Sequence, residues 1–358
     1  MDCPTCPELA LDEWGEELLA PLEGRRYPWG RRLELTERCN LACVHCYINQ
    51  PAGDRAARAR ELATEEVAGL LDQISDAGCL FLLLTGGEVL LRPDFPEIYR
   101  HARQRGMLVN LFTNGTLLTP SIADLLAQSR PQSIEISLYG ATPETYEAVT
   151  KVPGSYARCR QGIELLMERR LPLTLKSVLL TINHRELSRM SALAEQLGVP
   201  FRYDGTLWPR LDGGQQPFAY RLSLDELAAL DSDDAERRSQ WEEVARLGSG
   251  QLIRAEYVYG CGAGYRSFHV DSVGRLSACG MARRPSFDLR HVSFEEGWNE
   301  MGDLREQRRQ LDTPCRTCTV GALCSQCVGW SQLIHGDDET PVSFICCRLR
   351  LKTDPLYV

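Results

Sequence analysis

Three cysteines in "CNLACVHC" (residues 39 to 46) stand at Cys39, Cys43 and Cys46, separated by three and then two residues. Thiolates at this density can hold an iron–sulfur cubane by three of its irons, leaving the fourth open to a small chelating molecule. The same i, i+4, i+7 spacing also fits one face of a helix, on which the three would be buried small hydrophobes. Two features favour ligation: a predicted strand, "RRLELT" (31 to 36), runs directly into the cluster, and polar Asn40 and His45 lie inside it. The loop after a barrel strand is where such folds carry their chemistry.

A second group sits near the other end: Cys261, Cys279, then Cys315, Cys318, Cys324 and Cys327 in "CRTCTVGALCSQC", and finally Cys346 and Cys347. Two CxxC pairs suggest zinc, but a zinc ribbon separates its pairs by about 15 to 20 residues. Here five residues separate Cys318 from Cys324. "SFHVDSVGRLSACGMARR" alternates around a Gly turn like a hairpin, so Cys261 and Cys279 also admit a reading as core thiols of a small β unit. Cys3 and Cys6 in "CPTCP" read as an incidental pair. Cys79, opening a strand, and Cys159, in a helical pattern, read as buried small hydrophobes, with hydrogen-atom donor as the alternative.

Other candidates lie at strand ends. In "LTGGEV", Gly86 and Gly87 let the backbone approach a ligand closely and Glu88 can accept a bond from an ammonium. "FTNGT" carries Asn114 and "SLYG" carries Ser137 and Tyr139, and either stretch also makes an ordinary turn. Lys151 and Lys176 could meet a carboxylate, although an isolated Lys is usually solvated.

These residues must be positioned by a sizeable scaffold. The chain has 358 residues, 43% of them hydrophobic, enough for one large barrel or two domains. Its formal net charge of -9 and the lack of a basic patch argue against a nucleic-acid partner. No apolar run approaches the roughly 20 residues that span a bilayer, and no signal peptide is apparent, so a cytoplasmic location is expected. Fifteen cysteines in a reducing compartment point to metal or catalysis rather than disulfides.

Strand-like runs at 31 to 36, 80 to 85, 107 to 113, 132 to 138, 173 to 180 and 199 to 204 alternate with five helical patterns, several opening on a Thr, Ser or Asp cap. That alternation predicts a parallel α/β sheet, a partial (β/α)6 TIM-like barrel. The expected division is an N-terminal segment (1 to 30), the barrel (31 to 215), a connecting helical segment (216 to 255) and a small Cys-rich extension (256 to 358).

"CNLACVHC" matches the signature of the radical S-adenosylmethionine (SAM) superfamily, and "GGE" at 86 to 88 resembles that family's SAM-binding motif. The resemblance implies a [4Fe-4S] cluster with an open iron that binds SAM and cleaves it to a 5'-deoxyadenosyl radical, which removes hydrogen from a substrate. It also implies that Gly86, Gly87 and Glu88 hold the SAM amino group, and that Asn114 and Ser137 bind its ribose or methionine part. Lys151 or Lys176 would meet its carboxylate, and His45 would lie near adenine or simply pack, with Tyr47 equally ambiguous. The family often has Asp where Tyr139 stands, which leaves that role open.

The C-terminal order resembles the SPASM extension, which carries auxiliary iron–sulfur clusters. By that pattern Cys315, Cys318, Cys324 and one of Cys346 or Cys347 ligate one cluster, while Cys261, Cys279 and Cys327 ligate another. "CSQC" has two residues where the family commonly has three, and no Cys shortly precedes Cys261. The second set is thus one thiolate short: its iron is open, or bound by a non-Cys group or substrate, or only one auxiliary cluster is present.

The resemblance further implies a peptide-modifying enzyme acting on a precursor peptide, installing a crosslink, an epimerisation or an oxidation. It implies a low-potential electron donor of flavodoxin or ferredoxin type. With about 30 residues before the barrel, a separate leader-peptide-binding protein is one expectation. The alternatives are a small-molecule dehydrogenase, an anaerobic sulfatase maturase, and a non-enzymatic iron–sulfur electron carrier or zinc-organised module.

Overall fold

The computed structural model describes residues 24–48, 50–232, 238–239, 256–318, 324 and 326–353. Cys3, Cys6 and residues 233–237 and 240–255 of the expected connecting segment lie outside the described residues. Strand β1 (Gly30–Thr36) leads into two short paired strands, β2 (Arg38–Cys39) and β3 (Gln50–Pro51), which bracket the first cysteine loop. Helix and strand then alternate as α1 (Arg55–Arg60), α2 (Thr64–Asp76), β4 (Phe81–Gly86), α3 (Phe95–Gln104), β5 (Leu108–Thr113) and α4 (Pro120–Gln128). The series continues with β6 (Ser133–Ser137), α5 (Pro143–Thr150), α6 (Ser155–Glu168), β7 (Leu173–Val178), α7 (Leu187–Leu197) and β8 (Phe201–Asp204).

Strands β1, β4, β5, β6, β7 and β8 are neighbours in that order and all parallel, the expected partial barrel. Two elements exceed the expected five helices. Helix α1 is one, and α5 is the other, although Thr142 caps it by accepting a bond from the Thr145 amide and Pro143 opens its first turn. The segment after Cys39 contains no helix, so the reading of the three cysteines as a helical stripe is overturned.

Parallel strands covered on both faces normally read as continuous apolar runs. Here they alternate. Leu33, Leu82, Leu84, Val109, Leu111, Ile134, Ile136 and Leu175 are fully buried on the helix-covered face. The opposite, inner face carries Glu34, Asn110, Phe112, Glu135, Ser137, Lys176 and Arg202, in rows such as Ser137, Lys176, Arg202 across β6, β7 and β8. The inner face is therefore polar, unlike the packed interior of a closed (β/α)8 barrel.

After α8 (Leu224–Ser232), the extension comprises β9 (His269–Val270), β10 (Arg275–Ser277), β11 (Phe287–Asp288), α9 (Phe294–Glu300), α10 (Val328–Ile334) and α11 (Ser343–Thr353). Strands β9 and β10 form the expected hairpin, with Gly274 at φ +87° in its turn. Strand β9 adds to the free edge of β1 in parallel, making one nine-stranded sheet. Phe268, Phe294 and Trp298 join the same apolar core as the barrel leucines.

A buried charge cluster seals this junction. Glu34 is 1% exposed and accepts two bonds from Arg283 Nη2, at 2.8 and 3.0 Å, with His269 Nε2 at 3.2 Å. Burial alone would raise the Glu34 carboxyl, but His269, Arg283 and Arg32 outweigh it and hold it at about 2. Burial also keeps the His269 imidazole below its ordinary range. At neutral pH the compensating charge in direct contact is thus the Arg283 guanidinium.

Candidate active site

The three cysteines occupy a loop held by the backbone rather than by their own side chains. The Ala42 and Val44 amides donate to the Thr150 and Val149 carbonyls at the C-terminal end of α5, at 2.9 and 3.0 Å. These are carbonyls that a helix end leaves without intrahelical donors. On the other side the Leu211 amide donates to Tyr47 O at 3.1 Å.

Gly86 and Gly87 brace the start of the loop. The Gly87 amide donates to Thr36 O at 2.7 Å and the Glu88 amide to Arg38 O at 2.9 Å. A Cβ on Gly86 would lie 2.2 Å from Thr36 O, and one on Gly87 would lie 2.2 Å from Arg38 O. The close approach expected of this pair is thus made to the backbone ahead of Cys39. Gly87→Ala forces a backbone carbonyl to move, an overpacking of about 1–3 kcal/mol. It is expected to strip most of the iron from the first site after anaerobic reconstitution, whereas Gly69→Ala, with nothing within 4 Å, leaves iron content unchanged.

Glu88 is fully buried and accepts from Thr113 Oγ1 (2.7 Å), the Asn114 amide (2.7 Å) and the Leu90 amide (3.1 Å). Burial still raises its carboxyl above the ordinary range, against those three bonds. Two of the three reach Oε1 and one reaches Oε2, so Oε2 keeps a lone pair for another donor. Asn114 Nδ2 donates to Asn40 Oδ1 at 2.9 Å and approaches Cys39 Sγ at 3.7 Å, while Thr116 Oγ1 accepts from Asn40 Nδ2 at 2.8 Å. Asn40 and Thr116 were not singled out as site residues, and no spacing in the chain marks them.

Burial pushes the Cys39 thiol up to about 12, with Glu88 and Cys46 adding to it; Cys43 is raised further by burial and then by Cys46 and Cys39. Partly buried thiols at Cys39 and Cys43, each raised further by the neighbouring cysteines, fit a cationic group that would deprotonate them on binding. Tyr139 meets the His45 ring at 4.8 Å, and its phenol is raised by burial first and then by Cys43, Cys46 and Cys39. His45 Nδ1 is buried without a hydrogen-bond partner, and burial lowers the imidazole to about 4.

The remaining candidates separate by place. Lys151 is exposed in the left-handed cap of α5, just beyond the carbonyls that hold the cysteine loop. Lys176 lies on the inner face beside Ser137, over the Phe112 ring and 3.4 Å from Glu135, and burial pushes its amine down to about 7. Tyr47 Oη is 3.3 Å from Arg32. Cys79 sits before the N-terminal end of β4, away from the loop, and Cys159 is fully buried against Ser137 O, behind the strand.

The C-terminal thiols form two groups. Burial raises the Cys324 thiol, with Cys346, Cys315 and Cys318 adding to it, while burial raises Cys327 to about 11, with Cys279 and Cys261 adding to it. Cys347 is exposed. Among the described residues no three Cys, His, Asp or Glu side chains converge on a single metal ion. One zinc would draw its sulfurs within about 3.8 Å of each other, whereas a multi-iron cluster gives each thiolate its own iron.

Residues 33–194 match the Radical SAM superfamily. The chain is 38% identical to the PqqA peptide cyclase of Ruegeria pomeroyi over 80% of its own length and 78% of that protein. The chain belongs to the radical SAM superfamily. It is also 29% identical to the AdoMet-dependent heme synthase of Methanosarcina barkeri, over 86% of this chain and 94% of that one. Its fold matches Streptococcus suis SuiB bound to its precursor peptide SuiA, with a TM-score of 0.70 at 16% identity, over 96% of this chain and 83% of SuiB. As a radical SAM enzyme, the chain uses a [4Fe-4S] cluster and SAM. Among the described residues no helix is long and apolar enough to cross a membrane.

Proposed function

We propose that this radical SAM enzyme modifies a ribosomally made precursor peptide by removing a hydrogen atom from one of its residues. The single observation that carries the reading is the 38% identity to a peptide cyclase over 78% of that protein. Cys39, Cys43 and Cys46 hold the cluster. Gly86, Gly87, Glu88, Asn114, Ser137, Lys151 and His45 form the SAM site around them, with Tyr139 between the thiols and Ser137. When bound, the cluster and SAM supply a carbon radical able to take hydrogen from an unactivated carbon.

The protein's part is to orient and to shield. Glu88 joins β4 to the β5 turn through Thr113 and Asn114, so the groups at the mouth move as one unit. The polar inner face receives the substrate below that mouth, and the extension covers the β1 side. In the same reading Cys315, Cys318, Cys324 and Cys346 hold one auxiliary cluster, and Cys261, Cys279 and Cys327 another. The barrel (31 to 215) carries the chemistry and the extension (256 to 358) the auxiliary sites. A flavodoxin- or ferredoxin-type donor supplies electrons in the cytoplasm, with a leader-binding protein as a further partner.

A second reading, heme formation, is favoured by the match to 94% of a heme synthase. Anaerobic reconstitution with SAM and a reductant separates the two. Release of 5'-deoxyadenosine that rises with a candidate precursor peptide, together with a mass change in that peptide, supports the first. Heme absorbance without any peptide change sinks it.

A further inference from the structure

Of the two C-terminal thiol groups, one has four members and the other three. The three-membered group, Cys261, Cys279 and Cys327, lacks a fourth cysteine, yet it does not lack a fourth polar group. Tyr259 stands two residues before Cys261. It is 2% exposed, and its Oη makes no hydrogen bond among the described residues. Burial raises the phenol first, and Asp338, Cys261, Cys279 and Cys327 lie within electrostatic reach and raise it further. A buried hydroxyl without a partner is rare in a folded chain, because it loses its water bonds and gains nothing. Here the unpartnered atom belongs to a side chain two residues before Cys261 and electrostatically coupled to all three thiols of the site that is one ligand short.

The position is built rather than accidental. The backbone just before it is tied down: the Val258 amide donates to Gln307 O at 3.0 Å, and Tyr257 pairs with Arg308 in an antiparallel bridge. Asp338, the other oxygen donor nearby, is already engaged. Its Oδ1 accepts from Gln332 Nε2 at 2.8 Å and its Oδ2 from Gln307 Nε2 at 3.5 Å. The tyrosine oxygen, unlike those of Asp338, makes no hydrogen bond among the described residues.

We propose that Tyr259 Oη is the fourth ligand of the iron–sulfur cluster held by Cys261, Cys279 and Cys327, an inference that rests on the auxiliary-cluster reading above. Ligation forms one iron–oxygen bond and breaks the phenol O–H bond. The proton leaves to solvent and no electron is transferred. A phenolate at this corner closes the cluster to substrate, so the modified residue meets no open iron there, and its harder oxygen sets the cluster's potential apart from that of the four-thiolate site.

The test uses the full-length chain with Cys39, Cys43 and Cys46 replaced by alanine, so that only the C-terminal sites bind iron. Anaerobically reconstituted protein is measured for iron and by resonance Raman within the phenolate-to-iron absorption. Tyrosinate modes are expected in this background. They should be absent after Tyr259→Phe, with iron retained, and replaced by an all-thiolate spectrum after Tyr259→Cys. Should Tyr259→Phe fail to fold, the Tyr259→Cys spectrum decides. Retained iron with no tyrosinate modes, or modes that survive either substitution, overturns the ligand assignment alone. Unchanged iron after Cys261→Ala, Cys279→Ala and Cys327→Ala together removes the auxiliary-cluster reading for this site and the tyrosine ligand with it.

Discussion

Enzyme carrying alanine at Cys39, Cys43 and Cys46 is expected to release no 5'-deoxyadenosine from SAM, while losing about four irons per chain and no more. The loop's shape rests on backbone bonds from Ala42 and Val44 to the end of α5 and from Leu211 to Tyr47. Removing three sulfurs takes away ligands and leaves the scaffold standing. Circular dichroism should therefore be unchanged while SAM cleavage falls to background. A simple electron carrier behaves differently: its intact form, supplied with reductant, cleaves no SAM at all. Unaltered 5'-deoxyadenosine formation by the triple variant would remove the loop from the chemistry.

Glu34→Gln is expected to destabilise the chain by about 3–5 kcal/mol, the usual consequence of removing one member of a buried ion pair. Arg283 would lose its carboxylate, as would Arg32, whose own guanidinium is raised through Tyr47, Glu34 and Cys279 despite burial. The effect has a defined pH window. The Glu34 carboxyl is held at about 2 in the folded chain against an ordinary 4.5, so its contribution is complete above about pH 4.5 and is lost as pH falls toward 2. Urea titrations should give a constant gap between the two proteins from pH 8 to about 5, narrowing in more acid solution. A gap that widens with acid would contradict the assignment.

The six strands and their order were legible because each is a short apolar run bounded by turn residues, and parallel topology follows from the helices between them. Helix α5 was not, since its eight residues follow "SLYG" and carry little periodicity, yet its last carbonyls seat the cysteine loop. The glycine pair was legible as a close approach, but the partner turned out to be the Thr36 and Arg38 carbonyls, which only the fold brings there. Grouping of the C-terminal thiols rested on the family resemblance, since chain order alone would not put Cys327 with Cys261 and Cys279. That Cys346 is partly buried and Cys347 exposed was not readable from two adjacent cysteines and depends on how α11 is seated. Glu34 and Arg283 are 249 residues apart, and no local pattern links them. Tyr259 was invisible for a simpler reason: nothing in sequence says that a phenol is both buried and unpartnered.

The alternation of the barrel strands has a consequence for how this scaffold can change. Its stability is stored on the side where Leu82, Leu84, Val109 and Ile136 meet the helices, whereas Asn110, Phe112, Glu135, Lys176 and Arg202 on the other side contribute little to that packing. Residues of the inner face are thereby separated from residues that hold the chain together. Exchanging those five reshapes the lining of that face while the apolar packing behind it persists.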